Sequence, residues 1–159
     1  MRSSSAPANR RRGDRGAAAV EFALVVPMLI ALLIGVISYG YMLSFRQGIS
    51  QGAAEGARAA AVAPAATSAS QREVDAVAAV NDSLTSYGVT CVGASLVRDG
   101  QPVGSCSVSI ATCANDPSSQ CASVQVNYAY RTNPLIPSFP GLGVTLPEEL
   151  DYTAVARVS

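Results

Sequence analysis

The most regular hydrophobic pattern in the chain is a long apolar run in its first third. Between Phe22 and Phe45 the only strongly polar groups are four hydroxyls, those of Ser38, Tyr39, Tyr41 and Ser44. As a helix rising 1.5 Å per residue, this run is about 36 Å long, enough to cross a hydrocarbon core of about 30 Å. The pattern therefore predicts a membrane-spanning helix, which Pro27 is expected to kink or loosen locally.

Aromatic residues mark one end of this run. Tyr39, Tyr41 and Phe45 lie near its C-terminal end. Aromatic rings are enriched at membrane–water interfaces, where their polar and apolar parts are both satisfied. We expect these three side chains to form an interfacial belt on the outer side of the membrane.

The helical pattern continues beyond the apolar run to Pro64. From residue 40 to residue 60, every fourth residue is very small. These residues form a small-residue ridge along one side of the helix: Gly40, Ser44, Gly48, Gly52, Gly56 and Ala60. Because glycine inside a helix costs about 1 kcal/mol relative to alanine, glycines in register indicate close packing of another element. The ridge could pack on a partner protein or on the chain's own outer domain; an Ala/Gly-rich flexible segment is the other interpretation.

A second helix is predicted after the break at residues 64–70. Ser70 to Glu73 has the spacing of a capping box that would open the helix, and Gly88 is placed to end it. Valine, leucine and tyrosine side chains give this helix one apolar edge: Val74, Val77, Val80, Leu84 and Tyr87.

Strand patterns fill the chain from Val89 onward. The segments VTCVGASLV and VGSCSVSIATC flank Asp99-Gly100, a strong hairpin turn signal. The segment ASVQVNYAY alternates, with Val124, Val126, Tyr128 and Tyr130 on one face. After a Pro-rich connection, LDYTAVARVS alternates in the same way. The predicted fold is α+β: a long N-terminal transmembrane helix extending outward, a short helix, and a small antiparallel sheet of about four strands.

The four cysteines all lie in the strand-rich half of the chain. They form no C-x-x-C pair and the chain has no histidine, so their spacing does not suit zinc. It suits disulfides in a domain that folds outside the cytoplasm. Among three connectivities we favour Cys91–Cys106 across the hairpin and Cys113–Cys121 around the polar loop ANDPSSQ. Each would stabilise the domain by about 2–3 kcal/mol.

Charge is balanced in total but not along the chain. The 11 basic residues equal the 11 acidic ones, so no excess charge favours nucleic acid. Five arginines precede residue 16, and such a cluster places its side of an apolar run in the cytoplasm. We expect a single-pass plasma-membrane protein with a basic cytoplasmic leader (1–16), a membrane helix with its extension (17–63) and an extracytoplasmic domain (64–159). The run is too long for a cleaved secretory signal, and no small-x-small site follows it closely.

The polar residues offer little catalytic chemistry. Four aspartates are scattered over helix and turn positions: Asp75, Asp82, Asp99 and Asp116. Residues 115–118 have turn composition, and Glu55 and Arg58 are spaced for a surface ion pair. No nucleophile lies near a base and no glycine-rich phosphate loop follows a strand, so we expect no enzyme activity, cofactor or metal.

The carboxylate of Glu21 is unusual at the head of a membrane anchor. Alone, it could simply reach the headgroups. Its context, RGAAAVEF over residues 15–22 followed by a long apolar helix, resembles the processing site of type IV prepilins. In particular it resembles the TadE-like pseudopilins of tight-adherence (Flp) pilus systems, and the stretch AEGARAA at 54–60 continues that resemblance. The presence of Ala17 after Gly16, where the main type IV class often has Phe or Met, fits this subclass.

The resemblance implies a processing and assembly role. A membrane prepilin peptidase would cut after Gly16, so that Ala17 becomes the N-terminus and Glu21 the fifth mature residue, followed by Phe22. An amine and a carboxylate are tolerable as a pair in an apolar helix bundle, so Glu21 of one subunit beside the Ala17 amine of its neighbour would select axial register.

The resemblance also implies binding partners. They are the membrane, the prepilin peptidase, and other pilins or pseudopilins with the pilus assembly machinery. In length the chain looks like the short TadE or TadF type rather than the longer TadG-like proteins. The alternative is a single-pass anchored binding or accessory domain with no pilus role.

Overall fold

The computed structural model describes residues 11–136 and 146–158, with residues 11–15 described by their backbone alone. Most of the expected leader (1–10) and the centre of the Pro-rich connection (137–145) therefore lie outside the described residues. The first element, α1 (Arg11–Val62), is one helix of 52 residues that contains Pro27. It includes both the apolar run and the small-residue extension, as the pattern predicts.

Helix α2 (Ala69–Leu84) begins earlier than the expected capping box. Its N-cap is Ser68, whose Oγ accepts the backbone N–H of Gln71 at 3.2 Å. Ser70 lies in the first turn, and its hydroxyl is 3.1 Å from that of Ser68. The prediction of Ser70 as the cap is wrong because the turn at Pro64 closes by Thr67, which makes Ser68 the first residue free to cap the helix.

The end of α2 agrees with the sequence prediction. A 3₁₀ turn (Thr85–Tyr87) follows the helix, and Gly88 adopts a left-handed conformation with φ of 70°. Glycine tolerates that conformation without strain, which is why the helical segment stops there.

The described residues of the outer domain form five antiparallel strands in chain order, one more than expected. They are β1 (Val89–Val92), β2 (Ser95–Arg98), β3 (Gln101–Cys113), β4 (Asp116–Tyr128) and β5 (Leu150–Arg157). The extra strand arises because the segment VTCVGASLV folds back at Gly93, whose φ is 60°. The α+β class is confirmed.

The other turns test the hairpin predictions. Asp99 and Gly100 both have positive φ, 51° and 76°, as a type I′ hairpin turn requires. The loop expected between Cys113 and Cys121 is much shorter, because β4 already begins at Asp116 and pairs with Cys113. Only Ala114 and residue 115 connect β3 to β4.

Both expected disulfides are present. Cys91–Cys106 joins β1 to β3 with a Cα–Cα distance of 5.9 Å. Cys113–Cys121 closes the β3–β4 hairpin with a Cα–Cα distance of 5.0 Å. Together they tie the middle of β3 to β1 and its C-terminal end to β4.

One hydrophobic core joins the C-terminal half of α1, called its upper half below, to the outer domain. Helix α1 contacts α2, β4 and β5, and α2 also contacts β1 and β3. The predicted alternation of β4 is confirmed, since Val124, Val126 and Tyr128 are fully buried. Val74 departs from the prediction for α2: it is 61% exposed, because α2 turns the smaller Ala76 toward α1.

Candidate assembly helix and its junction with the outer domain

The first part of α1 extends away from the outer domain. Of residues 16–41 none is buried. Large apolar side chains are exposed along this segment: Val20, Phe22, Leu24, Val25, Met28, Leu29, Ile30, Leu32, Leu33, Val36 and Ile37. An 18-residue window of the helix reaches a mean hydropathy of 2.7. By length and composition this helix is compatible with single-pass anchoring in a membrane.

The residues of the expected processing site lie at the exposed start of that segment. A Cβ at Gly16 would have no neighbour within 4 Å, and Phe22 is 70% exposed. Ala17 and Glu21 are also exposed. Within the part of the chain that the structure describes, Glu21 has no ion-pair partner. These four residues are therefore accessible to another protein, and cleavage after Gly16 stays a prediction.

The small-residue ridge divides into a free part and a packed part. Gly40 is exposed, and a Cβ there would meet nothing within 4 Å. Ser44 is exposed too, but its hydroxyl lies 3.0 Å from that of Tyr87. The four upper positions are buried: Gly48, Gly52, Gly56 and Ala60.

The outer domain itself occupies the upper ridge. A Cβ on Gly48 would lie 2.8 Å from the Tyr87 ring, and one on Gly52 would lie 3.2 Å from the Cβ of Ser83. At Gly56 it would lie 2.9 Å from a methyl group of Val80. These glycines let α2 approach α1 closely. Of the two partners considered for the ridge, the chain's own domain takes these positions, and Gly40 still faces outward.

Aromatic side chains pack α1 against the outer domain at the point where the exposed segment ends. Phe45 is fully buried, and its ring meets Tyr87 and Tyr128 edge-on, with centroid distances of 5.0 and 4.8 Å. The expected interfacial role of Phe45 is therefore wrong: its apolar surface is covered by the domain core. Tyr39 and Tyr41 remain 56% and 38% exposed. Burial raises the pKa of the Tyr128 hydroxyl above its usual value.

A buried arginine at the top of α1 is a feature that the sequence reasoning missed. Arg72 is only 5% exposed, yet it lies on α2 near the end of α1. Its guanidinium donates to the carbonyls of Ala60 at 2.6 Å and Pro64 at 2.9 Å. The Ala60 carbonyl lies in the last turn of α1 and has no helical partner because Pro64 carries no N–H, and a cation at this end of the helix is favoured by the helix dipole. No local sequence signal distinguishes this arginine from a solvated one.

The polar clusters on the outer domain have structural roles. Asp116 accepts hydrogen bonds from the N–H and hydroxyl of Ser118 and from the hydroxyl of Ser119. These bonds, led by that of the Ser118 hydroxyl, hold the pKa of Asp116 below its usual value. The turn composition predicted here thus stabilises the β3–β4 hairpin.

The predicted surface ion pair on α1 is confirmed: Arg58 lies 3.4 Å from Glu55.

The comparisons with known proteins bear on α1 alone. No curated protein and no solved structure matched the chain. A family model described as TadE-like protein matches residues 16–58. The matched range starts at Gly16, includes Glu21, and ends at Arg58 in the packed extension of α1. The N-terminal helix of this chain is therefore similar to the TadE-like family over residues 16–58, and its C-terminal half carries a small disulfide-bonded α+β domain.

Proposed function

We propose that this chain is a minor pseudopilin that acts in the assembly of a tight-adherence (Flp) pilus after a prepilin peptidase removes residues 1–16. The observation that carries the proposal is the TadE-like match, which begins at the residue where cleavage is predicted. The exposed lower half of α1 supports it further, because that half is available to the membrane and to neighbouring helices. The function is structural rather than catalytic.

The proposed topology places the leader in the cytoplasm and the outer domain outside the plasma membrane. The cluster of five arginines before residue 16 supports this orientation. The two disulfides support it independently, because disulfides persist in oxidising compartments. In this topology the peptidase meets Gly16 at the cytoplasmic face of the membrane.

Glu21 is proposed to set the axial register between subunits. Its carboxylate is exposed on an apolar helix, five residues or about 7 Å from Gly16. Once Ala17 carries a free amine, the two groups of neighbouring subunits can neutralise each other inside a helix bundle. An unpaired charge there is strongly disfavoured, so only the register that pairs them is stable.

Co-expression with a prepilin peptidase tests the proposal. The intact mass of the protein should fall by the mass of residues 1–16, and Gly16→Ala should abolish that change. Gly35→Ala is a matched control, since Gly35 lies on the same helix and a Cβ there would also meet nothing within 4 Å. It should leave the mass change intact. Full-length protein in the presence of an active peptidase would contradict the proposal.

A second candidate is an anchored binding or accessory domain with no pilus role. One observation favours it: an apolar groove of about 580 Å³ between α2 and β3, lined by Val74, Val77 and Val108 among others. Such a domain would keep its leader, and deleting the gene would leave piliation unchanged. The peptidase experiment therefore separates the two candidates.

A further inference from the structure

A groove lies beside α1 just above the exposed apolar segment. It has a volume of about 540 Å³ and is lined by Leu43, Arg46, Gln47, Ser50, Gln51 and Tyr152. The five α1 residues are spaced three or four apart and so share one face of the helix. The sixth residue, Tyr152, comes from strand β5 and lies 101 residues after Gln51 in the sequence. The fold, and no local motif, brings these side chains together.

The position of this groove relative to the membrane surface follows from the length of the apolar segment. The 20 residues from Phe22 to Tyr41 match a hydrocarbon core of about 30 Å. Arg46 lies five residues further, about 7 Å beyond that core. The headgroup region of one leaflet is about 5–7 Å thick. If Glu21 marks the inner boundary, Arg46 therefore lies at the level of the outer phosphates.

The side chains around the groove suit an interface of lipid and water. Arg46 is exposed, and among the described residues it has no ion-pair partner. Its guanidinium can donate two parallel hydrogen bonds to a phosphate. Tyr152 is 42% exposed, and Tyr39, one turn below Leu43, is 56% exposed. Tyrosines combine an apolar ring with a polar tip, as this region of a membrane requires.

We propose that this groove binds the phosphate headgroup of an outer-leaflet phospholipid, with Arg46 on the phosphate and Tyr152 covering it from β5. The contact holds the outer domain at a fixed height and rotation on the membrane before assembly. It rests on the membrane anchoring of α1 in the proposed function. The occupant is a lipid rather than a free anion, because the lining of the groove begins at Leu43, two residues beyond the segment that enters the bilayer.

Tryptophan reporters can test this contact, because the natural chain contains no tryptophan. The full chain is reconstituted into phosphatidylcholine vesicles that carry either headgroup nitroxides or brominated acyl chains. Tyr152→Trp places the reporter in the groove. Val155→Trp is the matched control: it lies on the same strand, is 62% exposed, and faces the other side of the sheet. Leu29→Trp reports insertion of the apolar segment.

The expected result is stronger quenching of Tyr152→Trp than of Val155→Trp by the headgroup nitroxide. Adding Arg46→Gln should remove this excess, and Arg46→Lys should keep part of it. An unchanged urea unfolding midpoint of the outer domain in every variant verifies that the domain is folded. If Tyr152→Trp is quenched no more than Val155→Trp while Leu29→Trp is quenched by brominated chains, the groove proposal is overturned and anchoring stands. If Leu29→Trp is not quenched, both fail. An excess that survives Arg46→Gln overturns the role of Arg46.

Discussion

At the scale of single residues, the small-residue ridge shows what a sequence pattern can and cannot indicate. The period of four correctly indicates that something packs against this face of α1. It does not indicate which element packs there, because Gly40 and Gly56 are the same residue type in the same four-residue repeat. Gly40 is open, whereas Gly56 is covered by α2. Only the tertiary fold assigns each glycine its neighbour.

Gly56→Leu should destabilise the protein by about 1–3 kcal/mol through overpacking. A Cβ at this position already lies 3.0 Å from the backbone carbonyl of Ala76, which cannot move aside as a side-chain end can. Gly40→Leu is the matched control and should leave the unfolding midpoint of the outer domain unchanged. Urea unfolding in detergent micelles measures both. Equal midpoints for the two variants would show that close helix packing at Gly56 is unimportant.

At the scale of elements, what could be predicted depended on how local the signal was. The strand alternation of β4, the Asp99-Gly100 turn and the stop at Gly88 are local, and all three agree with the structure. The fold-back at Gly93 was missed because the apolar pattern continues through it. The cap of α2 was misplaced by two residues, because Ser68 and Ser70 carry the same side chain and only the preceding turn distinguishes them.

The end of the exposed part of α1 could not be predicted either. The apolar run continues to Phe45, yet the first buried residue is Met42. Lipid and a protein core both select apolar side chains, so hydropathy cannot separate them. The sequence therefore overestimates the free length of the helix by about one turn, and the residues in that turn fasten the helix to the domain.

Phe45→Ala should loosen the attachment of α1 to the outer domain. Removing a fully buried aromatic side chain costs about 3–5 kcal/mol, and here the ring also contacts Tyr87 and Tyr128. Tyr39→Ala removes an exposed ring from the same helix and should have little effect. Hydrogen exchange of the α1 amides near residue 49 measures the difference. Unchanged protection in Phe45→Ala would contradict the role of the ring as a fastener.

At the scale of the whole molecule, α1 performs two tasks along one continuous helix. Its upper half completes the core of the outer domain, so the domain cannot swing freely about the helix. Its lower half presents an apolar surface with Glu21 near the end. A rigid connection of this kind would transmit the axial register proposed for Glu21 to the position of the whole outer domain.

Glu21→Gln should weaken pilus assembly without preventing membrane insertion. The variant keeps the shape and apolar surroundings of the helix but removes the charge that would pair with the Ala17 amine. Glu55→Gln is a suitable control, because that carboxylate is exposed on the extension and pairs only with Arg58 among the described residues. Pilus counts by electron microscopy and the amount of protein in membrane fractions are the measurements. Normal piliation in Glu21→Gln would contradict the register role.

The central claim, that this chain is a processed pseudopilin, is tested most directly by sequencing the N-terminus of the protein purified from its native membranes. A processed pseudopilin should give a sequence that starts at Ala17 and reads Ala-Ala-Ala-Val-Glu-Phe. A mature protein that still starts within residues 1–16 would contradict it.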